Sequence, residues 1–109
     1  MANKRIVKSV QTYMNALTKN GIPVRYGVLF GSHVNGKPHK WSDIDLLVVS
    51  PIYDKRRTYK QAVKLWRIAA DVDARIEPIP VGEKQFEQDN NSVIIAVARR
   101  EGQIIPLAE

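Results

Sequence analysis

Apolar residues recur every three or four positions over residues 4–19, at Ile6, Val10, Tyr13 or Met14, and Leu17, and Gly21 follows as a stop. That spacing predicts an amphipathic helix. Residues 23–30 read as a strand that starts at Pro23 and ends at Phe30. Residues 43–49 read as a second strand, opened by Asp43 and closed by Pro51. Ile44, Leu46 and Val48 take one of its faces while Leu47 and Val49 continue the other, so it should be covered on both sides. The clearest helical pattern runs over residues 55–70. There Tyr59, Val63, Trp66 and Ala70 form a stripe expected in the core, and Arg56, Lys60, Lys64 and Arg67 form a basic face. Residues 72–79 read as a third strand. Pro78 and Pro80 place it at a sheet edge or mark its end, because proline cannot donate to a ladder. A short helical turn over 83–88 follows. A last helix over 92–101 runs between Ser92 as N-cap and Gly102 as stop, and residues 104–107 add a final short strand or a tail. Helix, strand, strand, helix, strand, helix predicts an α+β layer, and 109 residues predict one domain over 1–109.

The candidate chemistry lies where the first two strands are joined. Gly31-Ser32 closes the first, the ten residues from His33 to Ser42 follow, and Asp43-Ile44-Asp45 opens the second. Strand side chains alternate, so Asp43 and Asp45 point the same way with Cα atoms roughly 6.5 Å apart at about 3.3 Å per residue. Carboxylates so placed repel unless a cation lies between them. Mg²⁺ takes oxygen ligands, typically one or two carboxylates plus substrate phosphates, and a two-metal site clamps both the attacking and the leaving oxygen of an in-line displacement. Gly31 lets backbone N–H groups approach a phosphate and Ser32 adds a hydroxyl donor. A helix starting after Ser32 would contribute its free N–H groups. Ordinary turn chemistry is the alternative, with Gly31-Ser32 a plain turn and Ser42-Asp43 the end of a loop. Gly36, Lys37 and Lys40 make the intervening loop flexible and basic, open to solvent or to a triphosphate. Trp41 either stacks on a nucleobase or packs within the loop. His33 and His39, with no further histidine, make no zinc site.

Taken together, Gly31-Ser32, the ten-residue gap and Asp43-x-Asp45 entering an apolar strand resemble the minimal nucleotidyltransferase domains of the DNA polymerase β-like superfamily. The resemblance covers most of the chain, and its specific residues lie between positions 29 and 78. It implies a small twisted sheet, mixed or antiparallel, flanked by helices. It also implies transfer of a nucleoside monophosphate from a triphosphate, with ATP the first candidate, to an acceptor hydroxyl with release of pyrophosphate. Gly31 and Ser32 would hold phosphate. Asp43, Asp45 and a third carboxylate would hold Mg²⁺, with Mn²⁺ the second candidate. Asp73-Ala74-Arg75-Ile76-Glu77-Pro78 resembles the acidic-x-Arg-apolar-x-Pro stretch that carries that third carboxylate, which gives the role to Asp73. Glu77 is second, two places along the same predicted face, and Asp71 is third, better suited to the end of the preceding helix. Relatives often carry Arg after Gly-Ser, where this chain has His33, so charge compensation at the triphosphate falls to other residues. Domains of this size commonly work beside a separate helical HEPN-domain protein, sometimes as its antitoxin, which is the partner the resemblance implies.

Composition narrows the field. The chain is 44% apolar and 26% charged, with no cysteine. The missing cysteine removes disulfides and thiolate metal sites and fits a cytoplasmic setting. No apolar segment approaches the length that spans a bilayer. Lys4, Arg5 and Lys8 run into polar Gln11 and Thr12, which does not fit a signal peptide. The net charge of +6 and a pI near 9.8 favour anionic partners such as a triphosphate, a nucleic acid or an acidic protein. A basic nucleic-acid-binding domain and a partner-binding module without turnover remain alternatives, although no stacking aromatics interleave with the basic cluster. Association into an oligomer is left open.

Overall fold

In the computed structural model, which describes residues 1–108, the elements are α1 (Lys4–Lys19), β1 (Tyr26–Phe30), α2 (Ser32–Asn35), β2 (Ile44–Val49) and α3 (Ile52–Lys55), then α4 (Tyr59–Val72), β3 (Ile76–Val81), α5 (Glu83–Gln88), α6 (Val93–Glu101) and β4 (Gln103–Pro106). The four strands form one sheet in the order β3-β2-β1-β4. β1 is antiparallel to both β2 and β4, while β2 and β3 run parallel, joined through α3 and α4. This is the expected α+β layer with a mixed sheet.

Alternation along β2 divides the core in two. Ile44, Leu46 and Val48 face α1 and α4, against Tyr13, Met14, Leu17, Leu65 and Ile68. Leu47 and Val49 face the other way, with Val28 and Val81, against Phe86 of α5 and Ile95 and Ala98 of α6. β2 is therefore apolar on both faces because helices cover both.

α1 behaves as its pattern predicts. Asn3 caps it by accepting from the Ile6 N–H at 2.9 Å, and Ile6, Val10, Tyr13, Met14 and Leu17 are buried. The second long helix differs in two ways. Residues 52–55 form a separate turn after Pro51, and α4 starts only at Tyr59, behind a capping box made by Thr58 and Gln61. Its buried residues are Leu65, Ile68 and Ala69, so the expected stripe of Tyr59, Val63, Trp66 and Ala70 faces outward. Leu65, Ile68, Ala69 and Val72 satisfy the same helical spacing as that stripe. The helix has two apolar faces, and the sheet takes the more aliphatic one.

β3 is an edge strand. Hydrogen bonds from the Ile44 N–H to the Arg75 carbonyl and from the Ser50 N–H to the Val81 carbonyl set its parity. Its odd-numbered residues bond to β2, so Pro78 and Pro80 turn their nitrogens to the open side. Among the described residues, no helix is long and apolar enough to cross a membrane.

Candidate active site

Asp43 ends the loop that enters β2, and Asp45 is the second residue of the strand. Ile44 between them is buried toward α1 and α4. The two aspartates therefore point to the opposite face, at the end that the α5–α6 core does not reach. Phe30 is the β1 residue opposite Asp45, so the Gly31 turn arrives beside that carboxylate.

Gly31 answers two demands at once. Its φ is +81°, in the left-handed region that glycine tolerates. A Cβ placed on it would also collide with Oδ2 of Asp45. The chain then makes the single turn α2, in which Val34 and Asn35 donate to the Gly31 carbonyl at 3.0 Å and Gly36 donates to that of Ser32 at 3.0 Å. The N–H groups of Ser32 and His33 precede the first of these bonds and are not consumed by the turn. One turn adds little dipole, so its value to an anion lies in those N–H groups and the Ser32 hydroxyl.

His33 is buried, and its Nε2 donates to the Ser42 carbonyl at 3.2 Å. Ser42 also accepts from the His39 N–H at its hydroxyl, 2.9 Å away, and donates its own N–H to the His39 carbonyl at 3.0 Å. The basic loop is thus tied at its far end, immediately before Asp43. No spacing rule marks His33 for this work; burial of a polar ring inside the loop is visible only in three dimensions. Trp41 is 72% exposed with the Lys40 ammonium 5.1 Å from its ring centroid, which leaves the ring open rather than packed within the loop.

The third carboxylate beside the pair is Glu77. In the parallel ladder Glu77 stands opposite Asp45, on the same face as Ile79 and Val81. Burial raises Glu77, and the charges of Asp43 and Asp45 raise it further. Burial also raises Asp45, as does Asp43, while a hydrogen bond with Glu77 and the charge of His33 offset part of that rise. Each of these two carboxyls thus resists ionisation in the company of the others.

Asp73 is not brought to this group. It caps the C-terminus of α4, and the Ile76 N–H donates to its carbonyl at 3.0 Å, closing a turn. The strand therefore begins at Ile76 instead of residue 72, and period-two alternation does not reach back to Asp73. Arg75 holds its carboxylate, with Nη2 2.7 Å from Oδ2 and Nε 3.0 Å from Oδ1. That pairing, outweighing some burial, keeps Asp73 below the usual carboxylate range. Asp71 is an exposed residue of the last turn of α4.

Asp43, Asp45 and Glu77 offer only oxygen donors, which is the set a hard divalent cation takes. Among the described residues, no group of three or more His, Asp or Glu side chains is placed to hold a metal ion by side chains alone. The oxygen donors suit an ion that takes one or two carboxylates and completes its shell with substrate phosphate and water. A cavity of about 400 Å³ beside the loop is lined by Arg5, His33, His39, Lys40 and Arg75, among others. A larger one, about 620 Å³, runs along α1 by Gln103 of β4 and includes none of the three carboxylates.

Residues 16–101 match the family model of the nucleotidyltransferase domain. The chain belongs to that family. The fold of this nucleotidyltransferase domain is similar to solved structures at low identity. A candidate nucleotidyltransferase from Sulfolobus solfataricus superposes with a TM-score of 0.61 at 18% identity, over 82% of this chain and 78% of the other. A toxin–antitoxin structure with AMP-PNP gives 0.60 at 19% identity, over 91% and 74%. A variant of the toxin–antitoxin MntA-HpeT, with two aspartates separated by one intervening residue changed to glutamate, gives 0.58 at 17% over the same shares. No curated protein sequence matches the chain.

Proposed function

We propose that the domain transfers a nucleoside monophosphate from a triphosphate, ATP first among them, to an acceptor hydroxyl and releases pyrophosphate. The observation that carries this reading is the gathering of Asp43, Asp45 and Glu77 beside the Gly31-Ser32 turn. Asp43, Asp45 and Glu77 would hold Mg²⁺, with Mn²⁺ as the second candidate, and the ion would neutralise phosphate charge and align the displacement. The Ser32 hydroxyl and the N–H groups of Ser32 and His33 would bind phosphate oxygens. The acceptor oxygen bonds to the α-phosphorus, the bond from that phosphorus to the bridging oxygen breaks, and pyrophosphate leaves. The acceptor's proton passes to a carboxylate, for which Glu77, raised by its surroundings, is suited. The domain's own contribution is position and charge compensation.

We assign the acceptor to a separate protein. The toxin–antitoxin relatives by fold support a partner of that kind, and a HEPN-domain protein is the class the sequence resemblance implies. The engineered aspartates of one relative have the spacing of Asp43 and Asp45, which supports the same roles here.

One observation favours a second reading, nucleotide binding without turnover. His33 occupies the position after Gly-Ser, and its buried ring bonds to Ser42 rather than reaching outward, so the turn directs no side-chain cation toward a bound phosphate. Calorimetry with a non-hydrolysable ATP analogue, with and without Mg²⁺, followed by label transfer from α-labelled ATP, separates the two. The parent should bind only with Mg²⁺ and transfer label. Asp43→Asn and Asp45→Asn should each lose Mg²⁺-dependent binding with the fold intact. Unchanged affinity in both would remove the basis of the assignment, and binding without label transfer to any acceptor would favour the second reading.

A further inference from the structure

The outward face of α4 carries three exposed large apolar side chains, Tyr59, Val63 and Trp66. Tyr59 is 84% exposed and Trp66 48%, and Val63 lies between them in the helical rows. With Ala62 and Arg67 they line a groove of about 540 Å³. The rim is basic: Arg56, Lys60 and Arg67 are exposed, and among the described residues neither they nor Lys64 belongs to an ion pair. Lys64 spends one hydrogen bond on the Asn20 carbonyl at 2.6 Å, which holds its stem across the helix. Tyr, Trp and Arg are the residue types that dominate interface energetics. The opposite side of α4 is locked into the core through Leu65, Ile68 and Ala69, so the helix presents a rigid surface.

We infer that this face of α4 docks an amphipathic helix of a different protein, one with an apolar stripe edged by carboxylates. Charge complementarity selects that occupant. A second copy of this chain would bring basic rim against basic rim, a like-charge juxtaposition that costs affinity. A membrane surface would meet a short stripe on a helix that cannot sink into lipid without leaving its core. The surface does not depend on the transfer reading. α4 covers one face of the sheet and the carboxylates project from the other, so a protein docked on α4 leaves Asp43, Asp45 and Glu77 open.

The probe is a synthetic peptide of about five helical turns, its helicity established by circular dichroism, with Leu at i, i+3, i+4 and i+7 and Glu on both flanks. A twin peptide carries Lys in place of Glu. The protein is the full chain with Trp41→Phe, so that Trp66 is the sole tryptophan reporter. The Glu peptide should move Trp66 emission to the blue and bind at least tenfold more tightly than the Lys twin. Val63→Asp and Arg67→Glu should each weaken it by about tenfold or more. The chain alone should sediment as a monomer, and phosphatidylserine vesicles should not shift Trp66. Failure of the helical Glu peptide to bind, equal binding of the twin, or binding that survives Val63→Asp would overturn the inference. So would self-association abolished by Val63→Asp, or vesicle binding in place of peptide binding.

Discussion

Asp73 and Glu77 stand four residues apart in the chain and meet opposite electrostatic conditions. Asp73 has its counter-ion inside the protein. Arg75 grips both of its oxygens and the backbone N–H of Arg75 adds a third bond, so its charge is already compensated. Glu77 has no such partner among the described residues and faces two further carboxylates, which raise it on top of its burial. A charge satisfied at home contributes to stability, whereas charges that repel one another mark where something positive is brought in from outside. The contrast predicts a separation of effects, in which Glu77 matters for turnover and Asp73 for the fold.

The sharpest break would come at Glu77. Glu77→Gln should cut label transfer by about two orders of magnitude or more, the scale of a general base or a metal-orienting group. Its stability should not fall. A carboxylate whose pKa is raised on folding opposes the folded state once the pH exceeds that raised value, so removing its charge should leave the unfolding midpoint at pH 7 unchanged or higher. Full transfer in Glu77→Gln together with lost transfer in Asp73→Asn would reverse the assignment.

Asp73→Asn should do the converse. Its loss should cost about 1–2 kcal/mol in denaturant unfolding at pH 7, the scale of charge-assisted hydrogen bonds in a partly buried pair. The folded pKa is lowered, so the stabilisation is complete above the unfolded value near 3.9 and is lost as pH falls through the folded one. The gap between parent and variant should therefore hold constant from about pH 5 to 8 and close below about pH 4. A gap that widened in acid would contradict the ion pair.

The smallest effect is expected at Ser32. Ser32→Ala removes one donor while the backbone N–H groups of the turn remain, so Mg²⁺-dependent triphosphate affinity should fall by about 0.5–1.5 kcal/mol, up to roughly tenfold. Identical affinity in calorimetry would mean that the hydroxyl does not reach phosphate.

The same contrast explains what could be read from the chain. Strand alternation alone put Asp43 and Asp45 on one face, because the constraint is local: Asp45 lies in a regular strand and Asp43 immediately precedes it. It failed at Asp73, where a hydrogen-bonded turn interrupts the period before β3 begins. Proximity to Asp45 is a matter of cross-strand register, which places Glu77 opposite it and which no single strand encodes. α1 and α4 show the same limit in helices. α1 has one apolar stripe and it is buried. α4 has two at equal spacing, and only the sheet it packs on decides between Leu65-Ile68-Ala69 and Tyr59-Val63-Trp66. The six-residue helix at Glu83–Gln88 and the helix ending before Gly102 were legible because their signals are punctuation rather than partners.

Pro78 and Pro80 have a consequence beyond their place at the rim of the sheet. With their nitrogens turned to the open side, the outer edge of β3 lacks two of the donors another strand would need. Growth of the sheet by strand addition is therefore blocked on that side and remains open only along β4. A particle with one extendable edge can pair with another of its kind edge to edge, but it cannot add units at both ends. Such pairing closes on itself, so the sheet gives this domain no route to an open-ended fibre.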